Sequence, residues 1–166
     1  MYLVIMRAYP MIINIVLIFS YMFSYEKFYL KIFYILTMSS IFNFVLKTKV
    51  FEPIMGNKNF PLFGTGKRPL GNCNCGLGIF NNNIPRGYGM PSGHTQYAGV
   101  LSTILSQKLY YSKYNNFIKV FGILGLFLLV ISVAYSRILL KCHTIQQTVI
   151  GGLIGIFIGY KSYKYT

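Results

Sequence analysis

The chain has 166 residues, of which 54% are hydrophobic and only 11% are charged. A soluble domain of this size carries about 25% charged residues. Sixteen Lys and Arg face two acids, Glu26 and Glu52, which gives a formal net charge of +14. This composition excludes an ordinary soluble fold and a disordered chain, and it predicts a single membrane-embedded domain over residues 1–166.

Five apolar stretches follow one another along the chain, each close to the roughly 20 residues that a bilayer-crossing helix needs. The first is a membrane anchor and not a cleaved signal, because its apolar core is long and no small-residue cleavage site follows it. We therefore predict an all-α integral membrane bundle of about five transmembrane helices, with one long loop between helices two and three. The helices cover residues 2–23, 28–46, 94–111, 117–135 and 143–160.

The order of these helices predicts how they are arranged. If all five cross, the N-terminus, the end of helix two, the start of helix three and the turn between helices four and five lie on one side of the membrane. In helix five, Gly151, Gly155 and Gly159 are spaced four residues apart. Small residues at this spacing predict close packing against another helix.

The scarcity of acids excludes several kinds of chemistry. There is no Asp for a Ser-His-Asp triad, no close pair of carboxylates for a glycosidase, and no carboxylate cage for Mg²⁺ or Ca²⁺. If the protein is an enzyme, we expect it to act on an anionic substrate without a metal or other cofactor. Nucleic acid is not the expected partner, since the basic residues are scattered between apolar runs and form no soluble face.

Three cysteines are present, Cys73, Cys75 and Cys142, and none forms a Cys-x-x-Cys pair. A zinc site built from Cys73, Cys75 and a histidine has the wrong spacing for the common patterns. We interpret the cysteines as ordinary thiols, or as containing one disulfide if the loop faces an oxidising lumen.

Pro91-Ser-Gly-His94 stands directly before the third predicted helix. Pro91 ends the preceding segment, and Ser92 is a favourable N-cap residue. Free backbone N–H groups at a helix start attract anions, and Gly93 would let a phosphate approach them closely.

Arg137 and His143 lie six residues apart, so on one helix they would point about 240° apart. We therefore expect the chain to turn between them. Gln147 follows His143 by four residues, on the same helix face. Arg68, followed by Pro69, lies in the long loop, and its planar guanidinium matches phosphate oxygens.

Arg-Pro, Pro-Ser-Gly-His and Ser-Arg-x5-His, in this order, resemble the three-part signature of the type 2 phosphatidic acid phosphatase family. That family also includes polyprenyl diphosphate phosphatases and vanadium haloperoxidases. The resemblance spans residues 47 to about 152. In the family's first motif, six residues separate Lys from Arg-Pro, whereas here an insertion of 14 residues, Ile54 to Lys67, precedes Arg68. In the last motif Gln147 replaces the usual Asp, which looks most like the dolichyl diphosphate phosphatase branch.

The resemblance implies a role for each matching residue. His143 would attack phosphorus to give a phosphohistidine, and the Gln147 carbonyl would orient its ring. A neutral amide stabilises imidazolium less than a carboxylate does, so lower reactivity or a compensating acceptor is expected. His94 would protonate the leaving oxygen and then activate water. The phosphate oxygens would be held by Lys47 (or Lys58 or Lys67), Arg68, Ser92, the Gly93 N–H and Arg137.

The implied function is hydrolysis of a polyprenyl, dolichyl-type diphosphate in the bilayer. Phosphatidate or another lipid monophosphate is the alternative substrate, and a non-catalytic lipid-phosphate-binding member is a further alternative. A small transporter or channel is disfavoured, because the charged residues lie at helix ends. The resemblance favours a luminal or external site, for instance in the endoplasmic reticulum, whereas the positive-inside rule does not decide the orientation. The insertion is either a lid or a passive surface loop, and no oligomeric state is predicted.

Overall fold

A computed structural model describes residues 1–69, 75 and 88–166. Five long helices dominate these residues, as predicted: α1 (Tyr2–Ser24), α2 (Lys27–Val45), α4 (Gly93–Tyr110), α5 (Asn116–Leu139) and α6 (Ile145–Ser162). A π-helix (Leu46–Phe51) and a single turn, α3 (Glu52–Met55), prolong α2, and a 3₁₀ turn (Tyr163–Tyr165) follows α6. The strands β1 (Asn59–Phe60) and β2 (Gly64–Thr65) form a short antiparallel hairpin. The all-α prediction is confirmed, with this hairpin as an addition.

Three helical segments in the described part of the chain are long and apolar enough to cross a membrane: Tyr2–Ser24, Lys27–Met55 and Asn116–Leu139. Their apolar side chains are largely exposed in the folded chain, as expected for helices that face lipid and not water. The protein is therefore a helical membrane bundle. The helices α4 and α6 are less apolar, and α4 is the most buried element, from Thr95 to Ser102.

α4 packs most extensively against α6, and the glycines of α6 make this contact possible. A Cβ atom added at Gly151, Gly155 or Gly159 would overlap backbone atoms of the facing segment. The atoms that it would meet include the carbonyl oxygens of Ser92, Gln96 and Val100. The predicted role of these glycines in close helix packing is confirmed.

The two ends of the bundle hold different parts of the chain. At the end that we call the site end, the imidazole Nε2 of His94 lies 3.1 Å from the backbone oxygen of Arg7, which joins the starts of α1 and α4. At the opposite, far end, the Lys31 ammonium donates to the Thr166 carbonyl at 3.1 Å. The predicted grouping of the N-terminus with the start of α4 is thus confirmed.

The chain turns between α5 and α6, as the spacing of Arg137 and His143 predicts. Lys141 has a positive φ of 52° in this turn. Thr144 caps α6 in a capping box with Gln147, so the helix begins at Ile145 and not at His143. The pattern Thr-x-x-Gln is a known start signal that could have placed this boundary correctly.

Candidate active site

His143 lies in the turn before α6, with only 4% of its surface exposed. Its Nδ1 is 3.0 Å from the side-chain oxygen of Gln147. Because an amide oxygen only accepts hydrogen bonds, Nδ1 carries the proton and Nε2 keeps its lone pair. Arg68 Nη1 lies 3.5 Å from this Nε2.

The electrostatic surroundings keep the His143 ring neutral. Burial is the main cause that holds the pKa of His143 well below its usual 6.5, and the charges of Arg68, Lys47 and Arg137 lower that pKa further. The hydrogen bond to Gln147 opposes this shift. At neutral pH the ring therefore presents an unprotonated Nε2, the form that a nitrogen nucleophile requires.

Gln147 is fully buried and uses both ends of its amide. Its oxygen accepts from His143 and from the Thr144 N–H at 3.4 Å. Its nitrogen donates to the carbonyl oxygens of Thr65 and Lys67, both at 2.8 Å. These partners fix the orientation of the amide, since a flipped amide would face oxygen with oxygen. Gln147 thus connects the histidine to the insertion, a connection that sequence reasoning missed.

The insertion returns Arg68 to the site. Its hairpin ends at Thr65, and the Gly66 carbonyl then accepts from the N–H groups of Gly89 (2.9 Å) and Met90 (3.1 Å). Arg68 Nη1 donates to the Cys142 carbonyl at 3.1 Å, beside His143. The displaced Arg-Pro therefore lies at the site, whether or not the insertion also acts as a lid.

The three candidate lysines differ in position. Lys58 and Lys67 are exposed, whereas Lys47 is half-buried in the π-helix that follows α2. The charge of Lys47 acts on both His94 and His143. Lys47 is therefore the lysine that the fold brings to the histidines, and π-helical turns of this kind often occur at functional sites.

Arg137 closes α5 and is completely buried. Its Nη2 donates to the Cys75 carbonyl and contacts the Cys142 sulfur, both at 3.2 Å. Cys75 and Cys142 form a disulfide with a Cα–Cα distance of 5.6 Å. Of the two alternatives for the cysteines, free thiols or one disulfide, the structure contains the disulfide. A zinc site that needs the Cys75 thiolate is therefore excluded. Cys73 lies outside the described residues.

His94 opens α4 with its ring against α1. Since a carbonyl only accepts, Nε2 carries the proton and donates it to the Arg7 carbonyl, which leaves Nδ1 as the nitrogen that can exchange a proton. The charges of Arg137, Lys47 and Arg68 all act on His94, as they do on His143. The fold therefore gathers both histidines and three cations at the site end.

Ser92 and Gly93 lie between these groups, at the start of α4. Ser92 occupies the N-cap position, but its hydroxyl pairs with the Thr95 hydroxyl at 3.0 Å and makes no capping bond. The predicted N-cap position of Ser92 is confirmed, but its hydroxyl bonds to the Thr95 hydroxyl and not to a backbone N–H of the first turn. The backbone N–H of Ser92 donates to the backbone carbonyl of Gln147 at 3.0 Å, and this bond joins the start of α4 to α6.

A network of buried side-chain amides links α2 to α4 near the site, and the sequence alone did not predict it. Asn43 donates to the Gln96 side-chain oxygen at 2.7 Å, and Gln96 donates to the Ser39 hydroxyl at 2.9 Å. A polar side chain inside an apolar helix is costly unless it has a hydrogen-bond partner. That cost could have indicated from the sequence that Ser39, Asn43 and Gln96 bond to other polar groups. The network holds α2, and thus the approach to Lys47, against α4.

Comparisons with known proteins identify the family to which this chain belongs. The model of the PAP2 superfamily matches residues 28–166. A protein named dolichyldiphosphatase from Saccharomyces cerevisiae is 34% identical over 124 residues, which cover 74% of this chain and 45% of the relative. Dolichyldiphosphatase 1 from Dictyostelium discoideum is 37% identical over 76 residues, which cover 44% of this chain and 33% of the relative. The matched part is therefore less than half of each relative, and no solved structure matches. The family match covers the π-helix, both histidines and all three motifs, and this chain belongs to the PAP2 superfamily.

Proposed function

We propose that the protein is a membrane lipid phosphatase that hydrolyses a polyprenyl, dolichyl-type diphosphate through a phosphohistidine, without a metal. The observation that carries the proposal is the buried, neutral His143. Its Nε2 lone pair lies beside the Arg68 guanidinium, and its Nδ1–H is held by Gln147. A nitrogen nucleophile surrounded by cations suits an anionic phosphate better than any other electrophile.

In the first step, the Nε2 lone pair of His143 attacks the terminal phosphorus. The bond from that phosphorus to the bridging oxygen breaks, and its electron pair leaves with the lipid monophosphate. The Nδ1–H of His143 stays hydrogen-bonded to Gln147 throughout. Burial and the surrounding cations lower the pKa of His94 to about 4, and the bound diphosphate anion opposes this shift. A protonated Nδ1 of His94 can then deliver a proton to the leaving oxygen.

In the second step, water attacks the phosphohistidine. The Nδ1 of His94 takes a proton from this water, and the P–N bond breaks so that its electron pair returns to Nε2 of His143. Inorganic phosphate is released. The same histidine thus acts first as an acid and then as a base.

The cations hold the phosphoryl oxygens during both steps. Lys47, Arg68 and Arg137 act electrostatically on the two histidines, so an anion between the rings meets all three charges. Buried Nε atoms of Arg68 and Arg137 have no hydrogen-bond partner among the described residues and are available to phosphate oxygens. The Ser92 hydroxyl and the Gly93 N–H, at the N-terminus of α4, add donors.

The names of the relatives favour a polyprenyl diphosphate over phosphatidate. Both relatives reported above are named dolichyldiphosphatases. The Gln147 amide also fits its partners better than a carboxylate would, so its presence is compatible with an active enzyme.

We further propose that the site faces an oxidising compartment, such as the lumen of the endoplasmic reticulum. The Cys75–Cys142 disulfide lies directly beside His143 at the site end. Disulfides persist in oxidising lumens and are rare in the cytosol. A membrane-impermeant thiol reagent, applied to sealed vesicles under reducing conditions, would reveal which face exposes these cysteines.

The activity is tested by phosphate release from detergent-solubilised protein in EDTA. A polyprenyl diphosphate and phosphatidate are offered in parallel to wild type and to His143→Ala. We expect release from the diphosphate by wild type alone. Release from phosphatidate alone would replace the substrate, and release by His143→Ala would refute the mechanism. If folded wild type releases phosphate from neither lipid, the non-catalytic alternative holds.

A further inference from the structure

Arg7 is the only charged residue in α1, and it belongs to none of the three motifs. It also lies outside the part of the chain that matches the family, which begins at residue 28. Arg7 lies in the second turn of α1, near the site end of the helix, and its Nε is buried. A buried polar atom in an apolar helix is costly unless it has a partner. The place of Arg7 in α1 therefore requires a reason that the motifs do not supply.

The geometry places Arg7 at the site. Its backbone oxygen accepts the Nε2–H of His94 at 3.1 Å, so the residue lies next to the ring that handles the leaving oxygen. Its Nε is buried without a hydrogen-bond partner among the described residues. The charge of Arg7 also acts on Arg137, near the end of α5.

The protein's own acids do not neutralise this charge. The chain has only Glu26 and Glu52. Glu26 precedes α2 at the far end, and Glu52 is an exposed residue of α3. Arg7 is half-buried, and its charge acts on Arg137. An anion bound at the site is a suitable partner for this arginine, whose buried Nε has no partner among the described residues.

We propose that Arg7 binds the phosphate that stays attached to the lipid, and that it thereby selects diphosphates over monophosphates; this rests on the proposed function. The two phosphates would meet different cations. Arg68 lies beside Nε2 of His143, where the terminal phosphorus is attacked. The Arg7 backbone lies beside His94, where the leaving oxygen would be released, and the Arg7 charge acts on Arg137 of the same site.

The charge changes during the reaction give Arg7 a catalytic effect. When the bond to the bridging oxygen breaks, the electron pair moves onto the lipid phosphate, whose negative charge grows from about −1 towards −2 until His94 delivers its proton. An arginine placed there stabilises the transition state more than the ground state. A lipid monophosphate releases an alcohol instead, which needs a proton but no second cation.

The test compares Arg7→Gln and Arg7→Lys on a polyprenyl diphosphate and on the monophosphate with the same tail. The contact to His94 uses the backbone oxygen of Arg7, so both variants can keep it. For Arg7→Gln we expect kcat/KM on the diphosphate to fall by about 100-fold, mostly in kcat. On the monophosphate we expect a change of less than about 3-fold, and Arg7→Lys should recover part of the diphosphate rate.

Lys31→Gln is the matched control, because it removes one cation from the far end, and it should change neither rate. Equal losses on both substrates, or no loss on the diphosphate, would overturn the proposal. So would a wild type that hydrolyses only the monophosphate.

A binding measurement separates this proposal from the proposed function. In the His143→Ala background, which removes turnover, pyrophosphate and inorganic phosphate are titrated with and without Arg7→Gln. We expect the preference for pyrophosphate to fall by about 10-fold or more when Arg7 is replaced. An unchanged preference would refute the Arg7 site even if the enzyme is active. A lost preference in a protein without phosphatase activity would support the site and contradict only the activity.

Discussion

Both ends of the bundle carry basic residues, but the partners of these charged side chains differ between the two ends. At the far end, the Lys108 ammonium lies 3.4 Å from the centre of the Phe28 ring, and that of Lys164 lies 4.7 Å from the Tyr165 ring. Lys31 donates to the Thr166 carbonyl. At the site end, Arg68 and Arg137 keep buried N–H groups without a partner among the described residues.

We infer that the kind of partner, and not the charge, distinguishes a structural cation from one that serves the proposed function. Cation–π contacts stabilise exposed lysines by about 0.5–1 kcal/mol and leave nothing for a ligand to complete. A buried guanidinium with an unpartnered N–H gains much more from an arriving phosphate. The net charge of +14 would not reveal this division.

The largest contrast is expected between Arg68→Gln and Lys108→Gln. Each variant removes one cation, from the site end and from the far end respectively. We expect Arg68→Gln to lower kcat/KM by about 100- to 1,000-fold, because it removes a donor beside the nucleophile. Lys108→Gln should change it by less than about 3-fold. Phosphate-release kinetics on the diphosphate measure both, and similar losses would show that the two ends are not functionally different.

A smaller loss is expected from Gln147→Glu. The carboxylate can still accept from His143, but it would face the carbonyl oxygens of Thr65 and Lys67, where the amide now donates. We expect kcat to fall by about 10- to 100-fold, together with a lower thermal midpoint. Activity above wild type in this variant would mean that the amide is only a weak substitute for an acid.

The disulfide should affect stability more than chemistry. Cys75 and Cys142 close a loop with a sequence separation of 67, so their replacement by serine should cost about 2–4 kcal/mol of unfolding free energy. Activity should fall only several-fold, since Arg137 loses contacts but keeps its helix. Thermal denaturation of the double variant, with Cys73→Ser as control, measures this. Equal midpoints would indicate that the pair is not formed.

The smallest effect is on pH dependence. In the proposed mechanism the neutral form of His143 is the active one, so a pKa well below 6.5 should keep the free enzyme active into mildly acidic solution. Arg68→Gln removes the nearest cation and should raise that pKa, which moves the acid limb of kcat/KM to higher pH. A limb that stays in place, or moves to lower pH, would contradict the electrostatic role of Arg68.

Much of the fold was predictable, because hydrophobic runs and local signals determine the helices. The five helices and the turn between Arg137 and His143 follow from run length and helical periodicity. Gly151, Gly155 and Gly159 predicted that α6 packs closely against another helix, since only small residues allow such an approach, and the structure shows that this helix is α4.

What was missed depends on contacts between distant parts of the chain. Arg7 and His94 are 87 residues apart, and no local pattern links them. The hydrogen bonds of the Gln147 amide nitrogen depend on where the hairpin lies. The sequence of the insertion does not predict that position. The pairing of Cys75 with Cys142 likewise follows from where the loop returns.

The central claim is that His143 becomes covalently phosphorylated. We would trap the intermediate with a polyprenyl diphosphate labelled on its terminal phosphate, in EDTA, using His94→Asn to slow the second step. We expect an acid-labile, alkali-stable label on the peptide that contains His143, at a higher level in His94→Asn than in wild type. Label that persists in His143→Ala, or hydrolysis by wild type with no label on this peptide in either protein, would contradict the phosphohistidine mechanism.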